Sequence, residues 1–235
     1  MKRKIITTSD GSKTIQIEDW DEQYHSVHGA INEANHVFIK HGLHFFYTTF
    51  SEENAAISIL EIGFGTGLNA FITALESEKL NRLINYVGIE AYPVSEGEYK
   101  QLNYEQLITG GQSRIFKKLH ESDWEIANPI TSKFNLEKRK QFFSEIQDTN
   151  RYNIIYFDAF GARVQPELWT EAIFKIMFNA LKHKGVLVTY SAKGSVRRAL
   201  QNVGFTVERL PGPPGKREML RATKIAFNIQ RNEVS

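Results

Sequence analysis

Nine consecutive residues limit what this chain can fold into more than any others: Glu61-Ile62-Gly63-Phe64-Gly65-Thr66-Gly67-Leu68-Asn69. They follow the apolar run Ile57-Ser58-Ile59-Leu60 and precede Ala70-Phe71-Ile72-Thr73-Ala74-Leu75, which has helical character. Strand, glycine-rich turn and helix start, in that order, is how a nucleotide-like ligand meets a parallel sheet. Glycines suit a turn that needs positive φ and a backbone that a ligand approaches closely. The leading acid, Glu61, puts negative charge where a pyrophosphate would sit, which argues against a phosphate reader and for a cationic, phosphate-free nucleoside. A tight turn with no ligand fits the same residues, so the remainder of the chain decides.

Ahead of this turn, Lys4-Ile5-Ile6-Thr7-Thr8 and Lys13-Thr14-Ile15-Gln16-Ile17 flank Ser9-Asp10-Gly11-Ser12, a hairpin signal. A helix is expected over 31–40, and residues 1–54 read as an N-terminal extension outside the alternating pattern. From Ile57 the pattern is strand, glycine turn, helix over 68–78, then a strand over 85–90 that ends in an acid. A helix over 95–107 follows Pro93. Residues 109–130 resist assignment and are expected to wrap the sheet edge. Residues 134–141 read as a strand whose charges (Glu137, Lys138, Arg139, Lys140) make it a poor central one. A buried strand over 153–158 ends at Asp158. A helix over 166–181, opened by Pro166 and capped by Lys184-Gly185, leads to a buried strand over 185–191. After a helix over 195–202, strands over 205–210 and 219–227 stand too close for a helix between them and must pair antiparallel at the edge. The expected fold is α/β, a doubly wound and mostly parallel sheet with an antiparallel C-terminal hairpin, in one domain whose core is 55–235.

The composition is ordinary for a globular chain, with 41% apolar and 24% charged residues. With no cysteine, disulfides and thiolate metal sites are excluded. No apolar run approaches the ~20 residues that span a bilayer. Met1-Lys2-Arg3-Lys4 is followed by no signal-peptide core, so a soluble, cytoplasmic protein with no membrane partner is expected. The net charge of +2 hides an asymmetry: from Lys182 onward 11 lysines and arginines face 3 acids, against 18 and 24 before it. That basic last quarter is either a face for polyanions, nucleic acid first among them, or a solvated basic surface.

Three acids are expected at strand ends, where ligands of doubly wound sheets bind: Glu61, Glu90 and Asp158. Glu90 lies 23 positions after Gly67, close to the ~20-residue spacing at which an acid takes a ribose hydroxyl pair. Its simpler reading is a carboxylate that satisfies backbone N–H groups. S-adenosylmethionine is a cationic nucleoside of the kind the turn suits. His25, His28, His36, His41 and His44 match no metal-ligand spacing, so no metal is expected. Tyr24 and His25 either line a base or substrate pocket or simply pack. Trp169, Phe160 and Tyr190 read as packing residues, with Phe160 beside the expected site. Ser191 lacks the Gly-x-Ser-x-Gly elbow of a hydrolase.

Four blocks resemble the bacterial tRNA 5-methylaminomethyl-2-thiouridine methyltransferases, either stand-alone (MnmD) or fused to a flavin oxidase half (MnmC). They are Tyr24-His25-Ser26 through Glu33-Ala34-Asn35-His36-Val37-Phe38; Gly63 through Asn69; Phe157-Asp158-Ala159-Phe160 through Gln165-Pro166-Glu167-Leu168-Trp169; and Ser191-Ala192 with Val196-Arg197-Arg198 and Lys216-Arg217-Glu218-Met219-Leu220. The glycine block is common among methyltransferases, and the last two blocks are far more specific. The resemblance implies a class I, Rossmann-like methyltransferase fold that uses S-adenosylmethionine to methylate the aminomethyl group on a tRNA wobble uridine. It places Glu61, Gly63, Phe64, Gly65, Gly67 and Asn69 in the cofactor turn, Glu90 on the ribose, and Asp158 between cofactor and amine. Lys193, Arg197, Arg198, Lys216 and Arg217 are expected to hold phosphates of the tRNA anticodon loop. Where relatives often place an acid for the adenine, this chain has Gln141-Phe142. Its 235 residues leave no room for the oxidase half, so no flavin is expected. A nicotinamide dehydrogenase is disfavoured because the third glycine follows the second by two residues, not three. A methyltransferase for a small-molecule or protein amine, and a non-catalytic tRNA-binding module, remain the competing readings.

Overall fold

The computed structural model describes residues 2–53 and 55–225. Strands β1 (Arg3–Thr7) and β2 (Lys13–Ile17) form the expected hairpin, with Arg3 opposite Ile17, and β3 (Glu22–Gln23) extends it to three strands. Asp10 fixes the turn: its Oδ1 accepts from the Ser12 backbone N–H at 3.1 Å, and its Oδ2 accepts from Asn32 N–H at 3.1 Å in the helix that follows. That helix is longer than its sequence periodicity suggests. It runs as α1 (Ala30–Ala34), a stretch of π-type turns (Asn35–His44) and α2 (Phe45–Thr49). Its apolar side, with Ala34, Val37, Phe38 and Leu43, is buried in the main core.

The main sheet begins with β4 (Ile57–Ile62), which α3 (Leu68–Lys79) connects to β5 (Ile84–Ile89). After the short helices α4 (Glu96–Tyr99), α5 (Tyr104–Thr109) and α6 (Ile115–Glu121) come β6 (Ala127–Pro129) and β7 (Phe134–Arg139). Then follow β8 (Tyr152–Phe157), α7 (Glu171–Ala180), β9 (Leu181–Thr189), α8 (Gly194–Asn202), β10 (Thr206–Pro211) and β11 (Glu218–Thr223). The strand order is β10-β11-β9-β8-β4-β5-β7-β6, with β9, β8, β4, β5 and β7 parallel and β11 and β6 antiparallel to their neighbours. This is the doubly wound sheet with the antiparallel edge pair that the sequence predicts. Alternate residues face opposite layers: Ile59, Tyr86, Ile154 and Val188 lie in one core with the long N-terminal helix and α3, while Leu60, Val87, Ile155 and Leu187 lie in the other with α7 and α8. The order in which strands are added reverses between β4 and β8, which run parallel, so the ligand crevice belongs at their carboxyl ends.

Several sequence expectations need correction. The helix expected over 95–107 is broken into α4 and α5. Asn103, at the break, uses its side chain on the hairpin tip instead, accepting from Lys13 N–H at 2.8 Å and donating to Gly11 O at 3.0 Å. The helix expected over 166–181 is a 3₁₀ turn (Pro166–Trp169) and then α7, because Thr170 is extended and caps the second piece. Lys184-Gly185 caps nothing. It forms a left-handed irregularity inside β9, with Lys184 at φ 62°, pinned by Lys184 N–H to Lys224 O and Lys224 N–H to Gly185 O. The charged strand is not at the edge, since β6 covers β7. Its buried cations have partners: Lys138, almost fully buried, donates to His120 O at 2.8 Å and lies over the Trp124 ring, and Arg139 pairs with Glu137 and Asp148. Ala226 and Phe227 of the expected last strand lie outside the described residues.

Two arginines fasten the small N-terminal sheet to the large one. Arg3 donates to Tyr92 O at 2.9 Å and pairs with Glu98, while Arg163 reaches Trp20 O, Asp21 O and the Glu22 carboxylate at 3.0, 3.0 and 2.8 Å. No described helix is long and apolar enough to cross a membrane.

Candidate active site

The glycine turn is shaped from both sides. Gly63 N–H and Phe64 N–H both donate to Ile89 O, at 3.1 and 2.9 Å, which ties the turn to β5. Gly63 has φ 90°, and a Cβ there would meet Asp158 O at 2.8 Å; Gly65 has φ 50°, and a Cβ there would meet the Tyr24 ring at 2.9 Å. Both positions therefore need glycine for conformation and for space. Thr66 is held from two sides. Its hydroxyl shares a 2.7 Å hydrogen bond with His25 Nε2 and accepts from Tyr104 OH at 3.4 Å, and its carbonyl accepts from His120 Nε2 at 3.1 Å. Burial pushes both histidines down to about 4, so each holds the turn as a neutral ring.

Between this turn, the ends of β5 and β8, and the N-terminal sheet lies a cavity of about 740 Å³. Of the residues singled out from sequence, Gly63, Phe64, Gly65, Glu90, Asp158, Phe160, Tyr24, His25 and Lys216 line it. Glu90 accepts from Gly65 N–H at 3.0 Å through one oxygen and from Tyr92 N–H at 2.9 Å through the other. Two backbone bonds do not exhaust the acceptor capacity of a carboxylate, and Glu90 lines the cavity. Tyr92 and Phe142, both about half exposed, meet edge to face at 6.2 Å in the cavity lining. Opposite them, Trp20, Tyr24 and Phe160 form an aromatic wall, with Phe160 4.8 Å from Tyr24 and 5.8 Å from Trp20. Trp169 packs in the core and donates to Phe160 O at 2.8 Å.

Glu61, Gly67 and Asn69 lie outside the cavity lining. Glu61 is fully buried and Asn69 nearly so. Asn69 Nδ2 spends its two protons on Glu61 Oε1 at 2.9 Å and Asp158 Oδ2 at 2.8 Å, so it ties the buried acid to the one that opens on the cavity. Burial raises the Glu61 carboxyl well above its ordinary range, and Tyr86 beneath it is raised for the same reason. Asp158 is pushed up to about 7, chiefly by burial and next by the charge of Glu33; the Asn69 bond and Lys216 pull the other way.

Glu33 is the residue that sequence reasoning passed over. On an amphipathic helix, an acid at this position reads as solvated. Glu33 is 5% exposed, accepts from Ser26 N–H at 2.9 Å and pairs with Lys216. The basic last quarter divides accordingly. Lys182, Arg209, Lys216, Arg221 and Lys224 are tied within the chain. Lys193, Arg197, Arg198 and Arg217 lie outside the cavity lining, and no side-chain hydrogen bond or ion pair engages them among the described residues. Among those residues, no histidine or acid cluster has metal-binding geometry.

The family model described as S-adenosyl-L-methionine-dependent methyltransferase matches residues 105–225, more than half of the chain. The chain belongs to this family. The methyltransferase is 27% identical over 214 residues to the "tRNA 5-methylaminomethyl-2-thiouridine biosynthesis bifunctional protein MnmC" of Paraburkholderia xenovorans, covering 86% of this chain and 32% of that protein. It is 28% identical over 229 residues to the protein of the same name from Actinobacillus pleuropneumoniae, covering 88% and 33%. It thus spans about a third of the length of these curated relatives. Among solved structures it is similar to MNMC2 of Aquifex aeolicus, with TM-score 0.74 and 24% identity over 96% of this chain and 71% of that one. A Thermotoga maritima spermidine synthase shares the fold more loosely, with TM-score 0.53 and 15% identity over 95% of this chain and 74% of that one.

Proposed function

We propose that this methyltransferase methylates the aminomethyl group of 5-aminomethyl-2-thiouridine at the tRNA wobble position, giving 5-methylaminomethyl-2-thiouridine. The observation that carries this reading is the position of Asp158: one carboxylate, raised toward neutrality, opens on a cavity between the glycine turn and an aromatic wall. The cavity suits S-adenosylmethionine, because the glycine turn leaves bare backbone, Glu90 offers acceptors for a hydroxyl pair, and the two cations in the lining, Arg3 and Lys216, are paired with Glu98 and Glu33. Gly63, Phe64, Gly65 and Glu90 would hold it, and the rings of Tyr24 and Phe160 would face its sulfonium.

When bound, the cofactor supplies a sulfonium-activated methyl, whose bonding pair leaves with sulfur as the new nitrogen–carbon bond forms. The chain's own residues hold the acceptor in line and take its proton. An ammonium has no lone pair to offer, so the amine must lose one proton before or during transfer. Asp158 accepts it, and a carboxyl poised near 7 is well matched to that task at neutral pH. Asn69, on α3, holds Oδ2 of Asp158, which leaves Oδ1 for the amine. A wobble base is displayed in the anticodon loop, where it can splay out and enter a pocket lined by aromatic rings. Lys193, Arg197, Arg198 and Arg217 would meet the loop's phosphates. Residues 1–54 would then serve the same catalytic domain by walling the acceptor side, and a cytoplasmic site of action follows from such a substrate.

The decisive experiment incubates the protein with methyl-labelled cofactor and tRNA from cells blocked just before this methylation. Label in the wobble nucleoside of tRNA carrying the aminomethyl group, and none in tRNA lacking it, supports the assignment. Label that appears only in a small amine or a protein overturns it.

A further inference from the structure

Lys216 belongs to the motif block that reads as a phosphate clamp, but its side chain goes elsewhere. The β10–β11 connection folds back on itself, with Lys216 N–H donating to Pro213 O at 2.9 Å and Gly212 N–H to Arg217 O at 3.1 Å. This turns the side chain of Lys216 inward. Its Nζ pairs with Glu33 Oε1 and sits 3.8 Å from the centroid of the Tyr190 ring. Tyr190 OH donates to Ala159 O at 2.8 Å, the residue after Asp158. Neighbouring Gly215 packs on the His28 ring, which holds the loop against the N-terminal segment.

Two acids, Asp158 and Glu33, therefore border the acceptor end of the cavity together with one lysine. The groups that face Lys216 are Glu33 on the long helix, Asp158 after β8, Tyr190 after β9, and His25 and His28 on the N-terminal segment; Glu22 and Asp10 act on these from further away. With both carboxylates unmatched, an arriving ammonium would be held by two negative charges and would keep its proton. With Glu33 matched by Lys216, one carboxylate is left, and it can take one proton.

We propose that Lys216 is a positioning residue of the acceptor site, not a phosphate contact: by matching Glu33 beside Asp158 it keeps the methyl-acceptor amine uncharged. The role of the amine rests on the function proposed above; the placement of Lys216 does not. No new bond is involved. The proton leaves the acceptor nitrogen for Asp158, and the Lys216–Glu33 pair exchanges none.

The test compares the wild type with Lys216→Met and with the double variant Glu33→Gln/Lys216→Met, which removes both charges and so leaves no buried carboxylate unpaired. In cofactor-free protein, the ¹³C resonance of the Asp158 carboxyl, assigned with Asp158→Asn, is followed against pH. Its midpoint should rise by about one unit in Lys216→Met and return toward the wild-type value in the double variant. The acid limb of single-turnover methyl transfer should move in the same direction, about tenfold slower at neutral pH. Cofactor-free binding of tRNA should keep its dependence on salt. A carboxyl midpoint that stays put, or a salt slope that falls by about one as for a lost phosphate contact, overturns the proposal. Wild-type protein that fails to methylate tRNA would sink the proposed function, and the carboxyl titration would still decide the role of Lys216.

Discussion

Asp158 and Asn69 illustrate how one amide outside the cavity lining can govern the carboxylate that opens on it. Asp158→Asn keeps shape and removes the proton acceptor, so turnover should fall by about 10²–10⁴-fold while calorimetric affinity for S-adenosylmethionine holds. Equal turnover would remove Asp158 from the chemistry. Asn69→Ala takes a different toll. It leaves the buried Glu61 carboxyl without its N–H partner and frees Asp158 to rotate. Denaturant unfolding should show a loss of about 1–3 kcal/mol, with turnover reduced beyond what the unfolded fraction explains. Because burial raises the Glu61 carboxyl and an amide keeps an acceptor for Asn69, Glu61→Gln should be far milder than Glu61→Ala in the same assay.

At the scale of elements, the glycine turn and the N-terminal sheet meet at one crowded point, Gly65 against Tyr24. Gly65→Ala must adopt φ 50° with a Cβ and displace that ring, so a stability loss of about 1–2 kcal/mol should accompany a weaker cofactor isotherm. Arg163 is more than half exposed, so its ties to Trp20, Asp21 and Glu22 contribute little to global stability. Arg163→Ala should nonetheless speed amide hydrogen exchange in β2 and β3 while leaving β4 and β8 protected. What the sequence revealed follows from range. The strand, turn and helix around Gly63–Asn69 depend on neighbours within a few residues, and so does the buried run ending at Asp158. The break at Asn103 depends on a hairpin tip about 90 residues earlier, and the Glu33–Lys216 pair joins positions 183 apart. No local pattern encodes such partners. The same gap explains Lys184-Gly185, which looks like a helix cap in sequence and becomes a strand irregularity because Lys224 closes on it from β11.

For the molecule as a whole, two neutral histidines link folding to acidity. His25 and His120 are held near 4 in the folded protein, against about 6.5 when unfolded, so the unfolded chain binds more protons between those values. Their contribution is complete above about pH 6.5 and is lost as pH falls toward 4. Thermal melting should show a Tm that declines through that window, and His25→Gln should flatten the decline; an unchanged profile would separate the ring from the linkage. The basic residues without a side-chain partner among the described residues lie at the start of α8 (Lys193), within it (Arg197, Arg198) and in the β10–β11 connection (Arg217), so replacing Arg197 and Arg198 by alanine should reduce the salt slope of tRNA binding by about two. The cavity also sets an order of assembly. Its outer wall comes from the first 28 residues, its floor from β4, β5 and β8, and its last charge from Lys216. The wall is fastened in stages along the chain: Arg3 reaches Tyr92 O and Glu98, Asn103 takes the hairpin tip, and Arg163, after β8, holds Trp20, Asp21 and Glu22. Glu33 has no lysine beside it until the β10–β11 connection closes, so a chain cut before β10 would present an open, over-acidic cleft.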